Sequence, residues 1–154
     1  MTALERFMIY VKIHTASSDN LERTPTEERE FDLSRVLEKE MKDLGMERVF
    51  VDGHAYVYGF LPATPGCEDR PCVGFIAHLD TIPDFSGENV NPQLIENYDG
   101  GPVALGTSGR TLTAEVNPHL GELRGHTLVT ILTFLGAHYA FSSNNSFQES
   151  LEAW

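Results

Sequence analysis

Apolar positions along this chain change period several times, and each change marks an expected element. Leu4, Phe7, Met8 and Val11 recur at helical intervals, which predicts an amphipathic helix over 3–13. Thr15 to Arg23 is polar and reads as a loop. Thr24-Pro25-Thr26-Glu27 has the chemistry of a helix start. Thr24 can cap, Pro25 suits the first helical position, and Glu27 can close a capping box. Phe31, Val36, Leu37, Met41 and Leu44 then form a core-facing stripe, and Gly45 supplies the stop. Glu38-Lys39-Glu40 reads as the solvated face of that helix.

Past Gly45 the pattern turns to strands. Arg48 to Asp52 and Ala55 to Leu61 are predicted strands about an Asp52-Gly53 turn. Tyr56 and Tyr58 would share a face there and pack, and His54 would be exposed by the turn. Residues 62–71 are rich in breakers and read as a connection. Val73 to Ala77 is uncharged and mostly apolar, which predicts a short, fully buried strand ending at His78. From Ile82 to Gly109, glycines and prolines interrupt every run except a short strand expected over Gln93–Asn97. Leu112 to Pro118 fits neither period, and His126 to Thr130 reads as a last strand. Two helices followed by a series of strands are expected, and the fold class is read as α/β.

Composition narrows the class. A length of 154 residues suits one domain, with 41% apolar and 22% charged residues. A net charge of −12 argues against nucleic acid and against anionic membranes as partners. No apolar run approaches the roughly 20 residues of a membrane helix. No basic segment followed by an apolar core opens the chain, so a cytoplasmic protein is expected. Cys67 and Cys72 are too few for a disulfide framework or a four-cysteine zinc site, and free thiols in a reducing compartment are expected.

The chemistry concentrates after the predicted central strand. His78 and Asp80 are two apart, so an extended chain places both side chains on one side. Ligands of open α/β sheets bind at the carboxyl ends of strands. A neutral imidazole is a good zinc ligand, and a nearby carboxylate can hold the ring by its other nitrogen. It can also orient a group that activates water. The spacing fits equally a strand-end pair bonded to nearby backbone. Gly100-Gly101 is no phosphate cradle, because it lacks the spacing and the following Lys-Ser or Lys-Thr.

The surrounding residues carry a resemblance. The run from Gly74 through His78-Leu79-Asp80-Thr81, then Pro83-Asp84-Phe85-Ser86-Gly87-Glu88-Asn89-Val90-Asn91-Pro92-Gln93 and Glu96-Asn97-Tyr98-Asp99-Gly100-Gly101, resembles the peptidase T family. These are tripeptide aminopeptidases among the dizinc exopeptidases. The resemblance runs from near Leu4 to about Thr130. It implies the N-terminal part of a zinc-exopeptidase catalytic domain, with helices packed on a mixed sheet. It implies that His78 is a zinc ligand and Asp80 the catalytic aspartate beside it. Small peptides would be the substrates and two zinc ions the cofactor of the intact site.

After Thr130 the family pattern stops. A Gly-Ala-Asp-Asp-Lys-Ala-Gly motif carrying the bridging aspartate is expected there, and the chain reads Leu135-Gly136-Ala137-His138 instead. An imidazole offers one lone pair and cannot bridge two zinc ions as a carboxylate does. The expected division is therefore 1–130 as peptidase T-like and 131–154 as a divergent tail, most simply from a shifted reading frame. Phe147 to Trp154 could be helical. Only one family ligand remains, so the truncated chain alone is expected to be inactive. Two alternatives stay open: a non-catalytic binding fragment, and a single-zinc site of His78, Asp80 and a later histidine such as His119, His126 or His138.

Overall fold

The computed structural model describes residues 1–20, 22–84, 86–106 and 109–131, and the backbone of 141–142. The chain divides into two compact units, Met1–Asn89 and Val90–Trp154.

The first unit opens with α1, Ala3–Tyr10. Its start is a capping box that the sequence pattern did not single out. The Glu5 amide donates to Thr2 Oγ1 at 3.2 Å, and the Thr2 amide donates to Glu5 Oε2 at 2.6 Å. The helix is three residues shorter than its apolar period suggests, because Lys12 and Ile13 bond back by only three residues, to Ile9 and Tyr10. Helix α2 covers Glu30–Asp43 and begins later than the Thr24 signal predicts. The reason is a competing cap: Glu30 Oε1 accepts from the Thr26 hydroxyl at 2.6 Å and from the Glu27 amide at 2.9 Å. Gly45, at φ 78°, ends this helix as expected.

Helix α2 packs on an antiparallel hairpin, β1 (Glu47–Val51) and β2 (Val57–Phe60). Its inner face buries Leu33 and Ser34. The Ser34 hydroxyl, fully buried, donates to the Ala55 carbonyl at 2.5 Å and so ties the helix to the hairpin turn. Asp52 shapes that turn. Its Oδ1 accepts from the amides of His54 at 2.9 Å and Tyr56 at 3.0 Å. Desolvation pushes the Asp52 carboxyl up, but these two amides, the His54 ring and the Tyr58 hydroxyl outweigh it and hold it below the usual carboxylate range. Phe50 and Tyr58 stand opposite each other and stack on the exposed face, with ring centroids 4.8 Å apart. Helix α1 joins α2 through Glu40, which takes Arg6 Nε at 3.2 Å and the Tyr10 hydroxyl on its other oxygen.

The second unit is built round Leu128. Strand β6 (Leu128–Thr130) lies between β3 (Gln93–Ile95) and β7 (Phe141–Ser142) in an antiparallel sheet. A separate hairpin joins β4 (Val103–Leu105) to β5 (Arg110–Leu112). A 3-10 helix, Pro118–Leu123, supplies Leu120 and Leu123 to a core with Tyr98, Val103 and Leu128. The ambiguous stretch after Leu112 thus becomes a turn leading into this helix.

Two expectations need correction. The described residues form three small antiparallel sheets rather than one mixed sheet, and their parallel contact is an isolated bridge between Ala16 and Thr81. Val73–Ala77 is neither a paired strand nor buried. Its apolar character asks for neighbours on both faces and both edges, and the described residues supply backbone partners only beyond it, at Thr81. The divergent segment was expected from residue 131. Its Leu135-Gly136-Ala137-His138 run and its 147–154 helix lie outside the described residues.

Two substitutions test the packing. Ser34→Ala leaves the buried Ala55 carbonyl without its donor and is expected to cost about 1–3 kcal/mol in urea unfolding. Gly100→Ala is expected to cost at least a similar roughly 1–3 kcal/mol from backbone strain, because Gly100 has φ 87°, and its Cβ would in addition fall 2.0 Å from Arg124 Nε. An unchanged midpoint in either variant would contradict the corresponding contact.

Candidate functional site

The site begins with a backbone tether. The Ser17 amide donates to the Thr81 carbonyl at 3.0 Å, and the Thr81 amide donates to the Thr15 carbonyl at 3.1 Å. Thr15 and Ala16 are buried. The Arg29 guanidinium caps the same segment, donating to the Ala16 carbonyl from Nε at 3.1 Å and from Nη2 at 2.8 Å. Thr81 is therefore held firmly, and it directly follows Asp80. The polar loop after α1 thus acquires a role that its composition did not announce.

His78 and Asp80 meet at this anchored end. His78 Nδ1 lies 2.7 Å from the Asp80 backbone carbonyl and 3.5 Å from Asp80 Oδ1. A carbonyl only accepts, so Nδ1 carries the proton in this contact. In the neutral ring Nε2 then keeps its lone pair, the state a metal-ligating imidazole needs. Sequence spacing left two readings, a carboxylate behind the ring or a pair bonded to nearby backbone. The structure places the backbone carbonyl of the same residue there, with the carboxylate further away. The His78 side chain is 79% exposed and that of Asp80 45% exposed, so water reaches both.

The remaining histidines serve other contacts. His14 faces Glu88 at 3.7 Å, and His54 sits by Asp52 at the hairpin turn. His119 Nδ1 lies 3.0 Å from Glu122 Oε2, one turn along its 3-10 helix. The His126 carbonyl accepts from the Tyr98 amide at 2.8 Å. Among the described residues no three His, Cys, Asp or Glu side chains gather into a group able to hold a metal ion. His138 lies outside the described residues. Cys67 and Cys72 are free and exposed, as expected.

The stretch Glu96–Gly101 has its own architecture. The Tyr98 side chain is buried, and its hydroxyl donates to the Gly101 carbonyl at 2.5 Å. The Tyr98 carbonyl accepts from Gly125, and Asp99 Oδ1 accepts from the Gly101 amide at 2.8 Å. Gly100 leaves room for the stem of Arg124. Glu96, Tyr98 and Asp99 line a cleft of about 450 Å³ with Ile95, Val103 and their neighbours. Gly100 is needed for this close packing, and sequence reasoning found no function for it.

No protein-family profile matches the chain. Individual proteins do. A peptidase T of Aliivibrio fischeri is 46% identical over 136 residues, covering 87% of this chain. A peptidase T of Geobacillus thermodenitrificans is 44% identical over 137 residues, and one of Serratia proteamaculans 43% identical over 136. Over that length the chain is homologous to peptidase T. It spans about a third of these relatives, 33% of each. A match this long in a chain of 154 residues necessarily includes His78 to Gly101. Zinc fits the described residues only in part: His78 offers one nitrogen, whereas a catalytic zinc takes about three protein ligands. No helix among the described residues is long and apolar enough to cross a membrane.

The His78 tautomer is directly measurable. Nitrogen-15 shifts of the neutral imidazole are expected to show the proton on Nδ1. A proton on Nε2 would contradict the contact with the Asp80 carbonyl.

Proposed function

We propose that this chain carries the N-terminal part of a zinc-dependent tripeptide aminopeptidase, in which His78 is a zinc ligand and Asp80 the catalytic aspartate. The observation that carries the reading is identity of 42–46% with peptidase T across most of the chain, joined to a His78 ring whose Nδ1 is occupied by the Asp80 carbonyl. In this reading Asp80 orients the ring through its backbone and keeps its carboxylate available beside the reacting centre. Zinc, when bound in a complete site, would polarise the scissile carbonyl and activate water. Small peptides are the substrates, and the product is the released N-terminal residue. The peptidase-like part is 1–130 of the zinc-exopeptidase catalytic fold, and 131–154 is a divergent segment. Free, exposed Cys67 and Cys72 suit a cytoplasmic location.

One ligand does not make a zinc hydrolase, so the 154-residue chain alone is expected not to cleave tripeptides. Measurable hydrolysis, lost with chelator and with His78→Ala, would overturn that part. The family function is tested by a chimera in which residues 1–130 replace the matching part of the Aliivibrio fischeri relative. Zinc-dependent tripeptide cleavage is expected. His78→Ala and Asp80→Asn should each lower kcat/KM at least about a hundredfold, on the scale of losing a group that acts on the reacting centre. Full activity in either variant would sink the assignment.

A further inference from the structure

His14 follows the last turn of α1, and its side chain is only 24% exposed. Its ring lies on the backbone of Gly87. A Cβ added at Gly87 would fall 2.8 Å from His14 Cδ2, closer than a side chain can sit, so the imidazole occupies the space that a side chain there would take. His14 also opens the segment 14–17, which holds Thr81. The Thr15 carbonyl accepts from the Thr81 amide, and the Ser17 amide and hydroxyl both donate to the Thr81 carbonyl at 3.0 Å. The start of α2 braces this segment in turn. Arg29 donates to the Ala16 carbonyl, and the Ser18 amide donates to the Thr26 hydroxyl at 3.0 Å. One braced segment therefore grips the chain twice after Asp80, at Thr81 and again at Gly87.

We propose that His14 is a positioning residue of the candidate site: its ring holds Gly87 against the segment that anchors Thr81, and so fixes the chain that leaves Asp80. The proposal rests on the functional reading above. The bulk of the ring carries the effect, not its charge. His14 Nδ1 lies 3.7 Å from Glu88 Oε1, and the Glu88 side chain is 67% exposed, so that contact contributes little. His14 acts through Gly87 and Thr81 rather than on reacting atoms. Such a role bears on rate, because displacing a reacting group by about 1 Å can cost roughly a hundredfold.

The test uses the chimera of residues 1–130 with the Aliivibrio fischeri relative for activity, and the 154-residue chain for a readout that needs neither zinc nor substrate. In the chimera His14→Ala is expected to lower kcat on a tripeptide about tenfold, with KM changed less than about twofold. His14→Phe keeps a flat ring over Gly87 and should hold kcat within about twofold of the parent, as should Glu88→Gln. Gly87→Ala pushes the ring aside and should match the loss in His14→Ala. The double variant His14→Ala, Gly87→Ala should lose no more than either single one, because the added methyl then has room. In the 154-residue chain a nuclear Overhauser effect should join His14 Hδ2 to the Gly87 α protons, and His14→Ala should speed hydrogen exchange at the Thr81 amide. An unchanged kcat in His14→Ala overturns the proposal, even if the melting temperature falls, since the role is then structural only. A loss that His14→Phe does not rescue also overturns it, as do additive losses in the double variant. A chimera that cleaves no tripeptide overturns the functional reading instead. Faster Thr81 exchange in His14→Ala then still supports the grip of His14, and unchanged exchange overturns it.

Discussion

Thr81 holds the candidate site in place through its backbone alone. Its amide and carbonyl bond to Thr15 and Ser17; Thr15 and the intervening Ala16 are buried, and the Arg29 guanidinium caps the Ala16 carbonyl. Buried backbone groups must find partners, so this exchange is a strong local constraint. Helix α2 contributes through Arg29, the residue just before Glu30–Asp43. The loop after α1 contributes through Thr15 and Ala16. The placement of His78 and Asp80 thus depends on two elements far from them in sequence, neither of which carries catalytic chemistry.

The same anchor explains a contrast. At the anchor the chain is held by hydrogen bonds, while before it Val73–Ala77 presents apolar side chains to water. Strand-forming side chains do not by themselves make a strand. The ladder needs a neighbour to accept its amides and donate to its carbonyls. The His78 ring sits at the junction of these two regimes and meets the Asp80 carbonyl rather than a group from elsewhere in the unit. An exposed imidazole with one nitrogen occupied offers one lone pair at the other, which is too few for a metal centre.

In the second unit the organising contact is Tyr98. Its ring enters the core beside Leu120, Leu123 and Leu128, while its hydroxyl closes on Gly101. Gly100 is fixed beside it: a side chain there would overlap Arg124. The peptidase T-like run Glu96–Gly101 is therefore explained here by packing, and it also borders the cleft of about 450 Å³.

Local physics was legible in the residues alone. The helix over Glu30–Asp43, the stop at Gly45, the Asp52 hairpin turn and the strand ending at Thr130 all rest on contacts within a few residues or on a simple period, although Leu44 of the expected stripe is exposed and Leu33, outside it, is buried. The resemblance to peptidase T was legible as well, because it is carried by contiguous runs of side chains. What needed tertiary structure was every choice between competing partners. Glu30 took the caps that Thr24 seemed to offer, the Asp80 carbonyl rather than its carboxylate took the His78 ring nitrogen, a choice the spacing had left open, and Arg29 chose the Ala16 carbonyl. The apolar run at Val73–Ala77 is the clearest case. Its composition determined that it should be covered on both faces, but only other chain segments can do the covering, and no local pattern says where they lie.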